Sequence, residues 1–137
     1  MFMKTIISSA FLIASPLFYS DQCQANQGIT VYDFAASWCG PCRKDVARDN
    51  ELNKKYGGKV NFVLVIEDVE PAKGDAFVAS TNPHFNVKKD PTHSFAQQMG
   101  ATNGTPSTAI VSSKGTEVIN GSISKEDLMA KIDSALS

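Results

Sequence analysis

The stretch Ile29–Lys44, ITVYDFAASWCGPCRK, sets a β-branched and aromatic run directly ahead of a Cys-x-x-Cys pair. Ile29–Ala35 (ITVYDFA) reads as a buried strand. Pro41 to Tyr56 reads as a helix, with Val46, Leu52 and Tyr56 on its apolar side and Gly57-Gly58 as its stop. Trp38-Cys39-Gly40-Pro41-Cys42 therefore falls where a strand hands over to a helix. At a helix N-terminus the free N–H groups and the helix dipole favour a thiolate over a thiol. The first Cys of such a pair usually has a lowered pKa, which makes Cys39 the expected nucleophile. The spacing puts Cys42 one helical turn below, close enough to bond Cys39. Gly40-Pro41 permits the tight entry and stiffens it. Attack by Cys39, a mixed disulfide and resolution by Cys42 would then follow in sequence. Two other readings compete. The pair is half of a zinc site if His84, His93, Cys23 or a carboxylate completes it, but no second CxxC or paired-His spacing exists. It is a purely structural disulfide if it never opens, but so short a loop constrains the unfolded chain little.

Working outward, Val60–Ile66 (VNFVLVI) is nearly continuous apolar sequence, as expected of a strand covered on both faces. Glu67–Lys73 reads as a polar connection, Asp75–Ser80 as a short helix and His84–Val87 as a short strand. Asp90-Pro91 offers a helix start, with Asp as N-cap and Pro at the first helical position, leading to Phe95, Met99 and a stop at Gly100. Ser107–Val111 and Glu117–Asn120 form a hairpin through Lys114-Gly115. Ser124 with Asp127 resembles a capping box that opens a last helix with Leu128, Ile132 and Leu136 on one face. Strands and helices alternate before a hairpin and a helix close the chain. That order predicts an α/β sandwich with a mixed sheet.

The chain has 137 residues, 42% of them hydrophobic, which suits a single globular domain. Thirteen basic and 14 acidic residues give a net charge of -1, and without a basic excess no nucleic-acid partner is expected. At the front, Lys4, the apolar run Ile6–Tyr19 and then Asp21, Gln22 and Ala25 describe a secretory signal peptide over residues 1–25. The apolar run is short of the roughly 20 residues of a membrane span. Cleavage after Ala25 would leave a domain over 26–137 that keeps only Cys39 and Cys42. Export to the periplasm would place that pair in an oxidising compartment. An uncleaved segment would instead tether the domain to the membrane, and a lipoprotein reading would acylate Cys23, against the polar Asp21 and Gln22 before it.

Asp33 to Lys44, DFAASWCGPCRK, resembles the active-site segment of the thioredoxin superfamily. Gly104-Thr105-Pro106-Ser107-Thr108 resembles its cis-proline loop. Asn86–Asp90 and Ser94–Gly100 resemble the strand–helix insert of exported TlpA/ResA-like thiol–disulfide oxidoreductases. The similarity covers residues 29–136 and implies a thioredoxin-like three-layer sandwich: a mixed central sheet, flanking helices and an antiparallel C-terminal hairpin. It implies Cys39 as nucleophile, Cys42 as resolving Cys, and Pro106 as the cis-proline beside their redox disulfide. Thr105 would offer backbone groups to an extended substrate, with Trp38, Gly40 and Pro41 forming the rest of the binding surface. Asp33 would be the buried acid that deprotonates Cys42. No cofactor or metal is implied. The partners implied are client proteins with disulfides and a DsbD-type membrane thiol donor. CGPC with Asp33 leans toward reduction. An oxidase, an isomerase or a non-catalytic binding module are the alternatives. A peroxidase is disfavoured, because Ala36 stands where peroxiredoxins carry a Thr.

The sequence also departs from the family. Leu64 stands where thioredoxins often place a Lys that tempers the buried acid, so Asp33 is expected to lack a cation and to titrate higher. Ala47 replaces a common kinking Pro, and the charged Arg48 and Asp49 follow where thioredoxins are more apolar. Few residues precede Ile29 in the mature chain, so the usual leading strand and helix are expected to be short or missing. His84, His93, Lys54-Lys55 and Lys88-Lys89 read as surface groups. Arg43 and Lys44 either raise the potential near Cys39 or simply line an exposed helix face.

Overall fold

The computed structural model describes residues 28–137. The expected signal peptide, Cys23 and any leading strand or helix lie outside these residues. Five strands form one mixed sheet in the order β3-β2-β1-β4-β5, where β1 is Ile29–Ala35, β2 Val60–Ile66, β3 Asn86–Lys89, β4 Ser107–Ser112 and β5 Gly115–Asn120. β1 pairs parallel with β2, and β2 with β3. β4 runs antiparallel to β1 and turns back into β5. The helices are α1 (Cys42–Tyr56), α2 (Pro71–Thr81), α3 (Ser94–Met99) and α4 (Lys125–Leu136).

The alternation of β1 sorts the core into two sides. Val31 and Ala35 face α1, α2 and α4, where they meet Leu52, Val46, Phe77, Leu128 and Ile132. Phe34 faces the other way and packs with Val65, Ala96 and Ala101 under α3. Helices on one face, a sheet and a helix on the other make the three layers that the sequence predicts. The large side chains inside, such as Phe34, Phe62 and Phe77, are about 1% exposed. Each contributes roughly 1.5–3 kcal/mol by leaving water.

The β1, β2 and α1 boundaries fall where the sequence puts them. Gly57 ends α1 with a φ of 59°, a conformation that disfavours any side chain. Ser124 caps α4 by accepting a hydrogen bond from the Asp127 N–H at 3.1 Å. Three expectations need correction. α2 begins at Pro71, inside the stretch read as a polar connection, because Pro fits the first helical turn. β3 sits two residues later than expected and is exposed throughout, an edge strand that ends in Lys88-Lys89. α3 begins at Ser94 and not at Asp90-Pro91; His93 at its N-cap has φ 63°, and Asp90 reaches across to accept from the N–H groups of Phe95 (3.0 Å) and Ala96 (2.9 Å).

α2 approaches β2 closely at Gly74. A Cβ there would lie 2.8 Å from Cγ2 of Ile66 and 3.4 Å from Cβ of Asp68. Gly74→Ala should therefore destabilise the protein by about 1–3 kcal/mol in urea unfolding. The helix-propensity gain of Ala, about 1 kcal/mol, would appear alone only if α2 could back away from the sheet.

Candidate active site

β1 ends at Ala35, and a tight turn carries Trp38 and Cys39 to the start of α1. Backbone hydrogen bonds from Cys39 N–H to Ala36 (3.0 Å) and from Cys42 N–H to Cys39 (3.3 Å) hold the turn. Asp68, just past β2, accepts from the Ser37 N–H at 2.8 Å and from its hydroxyl at 2.6 Å. Cys39 and Cys42 are disulfide-bonded with their Cα atoms 5.5 Å apart. Cys42 is fully buried, Cys39 is 5% exposed, and Trp38 beside it is 65% exposed. The sulfurs therefore lie at the rim of the core, against Ala35, Val46, Leu64 and Phe77. Among the described residues no cluster of metal-ligating side chains exists.

The loop before β4 carries a cis Thr105–Pro106 bond. A cavity of about 130 Å³ lies beside Trp38 and is bounded by Phe34, Glu67, His93, Ala96 and Thr105 among others. Phe34, Ala96 and Ala101 give it an apolar part on the α3 side of the sheet, and Glu67, His93, Gln97, Thr102 and Thr105 line the rest. The Arg43 guanidinium turns away from this region: it donates to Ser80 Oγ at 2.8 Å and sits over the Phe77 ring. Its role is packing between α1 and α2.

Asp33 lies on the face of β1 that carries Ala35, and it is 1% exposed. Leu64 stands directly opposite it on β2. The missing cation is nonetheless supplied, from a different element. Arg48 on α1 brings Nη2 to 3.5 Å from Asp33 Oδ2, and its Nε donates to Asp49 at 2.8 Å. The expectation that Asp33 lacks a cation is thus overturned. Its expected high pKa stands for other reasons: burial first, then the neighbouring Asp49 carboxyl, push it well above the usual carboxylate range, and Arg48 offsets only part of this.

Glu67, at the C-terminal end of β2, is 4% exposed and borders the cavity. Burial, together with a hydrogen bond to Asp90, pushes it up to about 8. Burial works the same way on Asp90, but the Phe95 and Ala96 N–H groups and the Glu67 carboxyl hold it below its ordinary value. Glu67 therefore carries the shared proton at neutral pH. His93 Nε2 sits 3.0 Å from the Glu67 backbone oxygen at the rim. In the sequence Glu67, Asp68 and Asp90 read as connection or cap and not as site residues. The available signal was their position: acids just beyond the C-terminal ends of parallel strands, where α/β folds gather their sites.

This proton has a measurable consequence. The unfolded Glu67 titrates near 4.5 and the folded one near 8. Between those values the native state holds a proton that the unfolded chain has released. The stability it contributes is complete below about pH 4.5 and is lost as the pH rises through about 8. Glu67→Gln should remove that slope. Relative to wild type it should gain about 1–3 kcal/mol on going from about pH 5 to about pH 9 in denaturant titrations. Parallel pH profiles for the two proteins would contradict the shared proton.

A profile of the Redoxin family matches residues 18–135. A thioredoxin H-type of Chlamydomonas reinhardtii is 40% identical over 60 residues, which is 44% of this chain and 53% of the relative. The chain thus spans about half the length of that curated relative. A Chlorobium tepidum structure, described as a candidate thiol:disulfide interchange protein DsbE, superposes with a TM-score of 0.75 and 27% identity over 85% of each chain. A secreted disulfide oxidoreductase of Mycobacterium tuberculosis superposes with a TM-score of 0.68 and 16% identity, over 82% of this chain and 85% of its own, a likeness of fold.

Proposed function

Because the chain belongs to the Redoxin family and has the thioredoxin-like fold, we propose that it is an exported thiol–disulfide oxidoreductase that reduces disulfides of client proteins. The observation that carries this reading is the Cys39–Cys42 disulfide at the rim of the core, with an exposed Trp38 and a cavity beside it and a buried acid, Asp33, on the strand that leads into the turn. In the reduced form the Cys39 thiolate attacks one sulfur of a client disulfide. A mixed disulfide forms, and the client's other sulfur leaves as a thiolate. Cys42 passes its proton to Asp33, and the Cys42 thiolate attacks Cys39 Sγ. The mixed disulfide breaks, the client leaves with its second thiolate, and the Cys39–Cys42 bond closes. Two electrons move to the client, and the Cys42 proton stays on Asp33. Trp38, Gly40, Pro41 and Thr105 form the surface on which the extended client segment lies beside Pro106.

A DsbD-type membrane thiol donor would return the electrons. Export rests on the residue pattern of 1–25 and is supported by the secreted M. tuberculosis neighbour. No helix among the described residues is long and apolar enough to cross a membrane. The direction of transfer is tested by the reduction potential of the 39–42 couple against glutathione. A value near the roughly -270 mV of thioredoxin supports a reductase. A value near the roughly -120 mV of a strong oxidant such as DsbA would overturn that direction in favour of an oxidase.

A further inference from the structure

The side of α1 behind the cysteines holds a group of charges with few partners. Asp33 is 1% exposed, Asp49 0% and Arg48 8%. Both carboxylate oxygens of Asp33, Oδ2 of Asp49 and Nη2 of Arg48 are buried with no hydrogen-bond partner among fixed donors and acceptors. Such groups are costly unless something satisfies them. Asp33 and Asp49 both lie against the same guanidinium, at 3.5 Å and 2.8 Å, and two ionised carboxylates so placed repel each other and together favour taking up one proton. In the oxidised protein, with Cys39 and Cys42 bonded, one proton between them resolves the orphans: a protonated Asp33 donates to Asp49, and Asp49 keeps its bond from Arg48 Nε at 2.8 Å. Arg48 is itself anchored, because Nη1 donates to the Ile123 backbone oxygen at 2.8 Å in the segment leading into α4.

We propose that Asp49 and Arg48 are positioning residues for the resolving step, forming with Asp33 one buried unit that holds the proton taken from Cys42. This rests on the reductase reading above. Before resolution both carboxyls are ionised against Arg48; when Cys42 ionises, its proton goes to Asp33 and lodges against Asp49, and the charge left on Asp49 is balanced by Arg48. No charge is then stranded in the core at the moment the Cys39–Cys42 bond closes. The groups that face Asp33 are Arg48, Asp49 and the more peripheral Asp45, all on α1. Its sheet neighbours, Leu64 on β2 and Thr108 on β4, bring no charge.

The test is the titration of the Asp33 carboxyl in the oxidised full-length chain by carbon NMR, with Asp33→Asn fixing the assignment. In Asp49→Asn the shared proton loses one acceptor, and the new amide donates to the ionised Asp33. Its midpoint should fall by about one pH unit or more. An unchanged midpoint in folded Asp49→Asn overturns the proposal. Arg48→Lys should leave the midpoint close to wild type, whereas Arg48→Gln should raise it. Equal midpoints in these two variants would overturn the proposal even if Asp49→Asn did not fold. The pH profile of client release from a preformed Cys39 mixed disulfide with a model peptide should shift in the same direction as the carboxyl midpoint in each variant. A shift in the carboxyl without a shift in release removes the link to resolution and overturns the proposal. Wild-type protein that exchanges no disulfide at all would sink the reductase reading instead, while the carboxyl titration still reports on the shared proton.

Discussion

Cys39→Ser should reduce no insulin disulfide above background, a loss of at least about a thousandfold. A serine hydroxyl does not ionise near neutral pH, so the helix N-terminus that favours a thiolate has nothing to act on. The fold should survive. The lost disulfide closes a very short loop, which limits its stabilising effect to about 2 kcal/mol. The rest of the core, from Phe34 and Val65 on one face to Leu52 and Ile132 on the other, is untouched. Circular dichroism should therefore be native while activity vanishes. A Cys39→Ser protein that still binds its partner and carries out its role in the cell would mark a binding module with a thioredoxin-like shape.

Cys42→Ser should also stop turnover, by a different route. Cys39 can still attack, but no thiolate lies beneath it to break the mixed disulfide. Covalent adducts between the protein and its clients should accumulate, visible as slower bands on non-reducing gels and released by dithiothreitol. Cys42 is completely buried. A hydroxyl of nearly the same size in that place should cost little in packing. These adducts also identify the clients. If Cys42→Ser turned over as fast as wild type, resolution would not run through this residue.

Much of the fold could be read because its strongest signals are local. The continuous apolar run of β2 and the glycines after α1 admit few alternatives. The Ser124 cap likewise fixes the start of α4. The starts of α2 and α3 are harder to see: Pro71 opens α2 inside a stretch that otherwise reads as polar connection, and Asp90 caps α3 from several residues ahead of it. Asp90 caps α3 through a loop that passes His93 in a left-handed conformation, and no local pattern encodes that. In the site, the cysteines and Asp33 follow from a motif and from strand alternation. Arg48 and Asp49 do not, because a charged pair on a helix ordinarily faces water. Their burial depends on Asp33 and on the Ile123 carbonyl meeting them from other elements. Glu67 was hidden for a similar reason: its protonated state is set by Asp90, which lies beyond β3.

Disulfide exchange here requires a reactive sulfur at position 39. Its alkylation by iodoacetamide, followed against pH in the reduced protein with Cys42 replaced by Ser, measures that directly. The expected midpoint lies well below the roughly 8.5 of free cysteine. A midpoint at or above that value, with alkylation no faster than that of free cysteine, would contradict it.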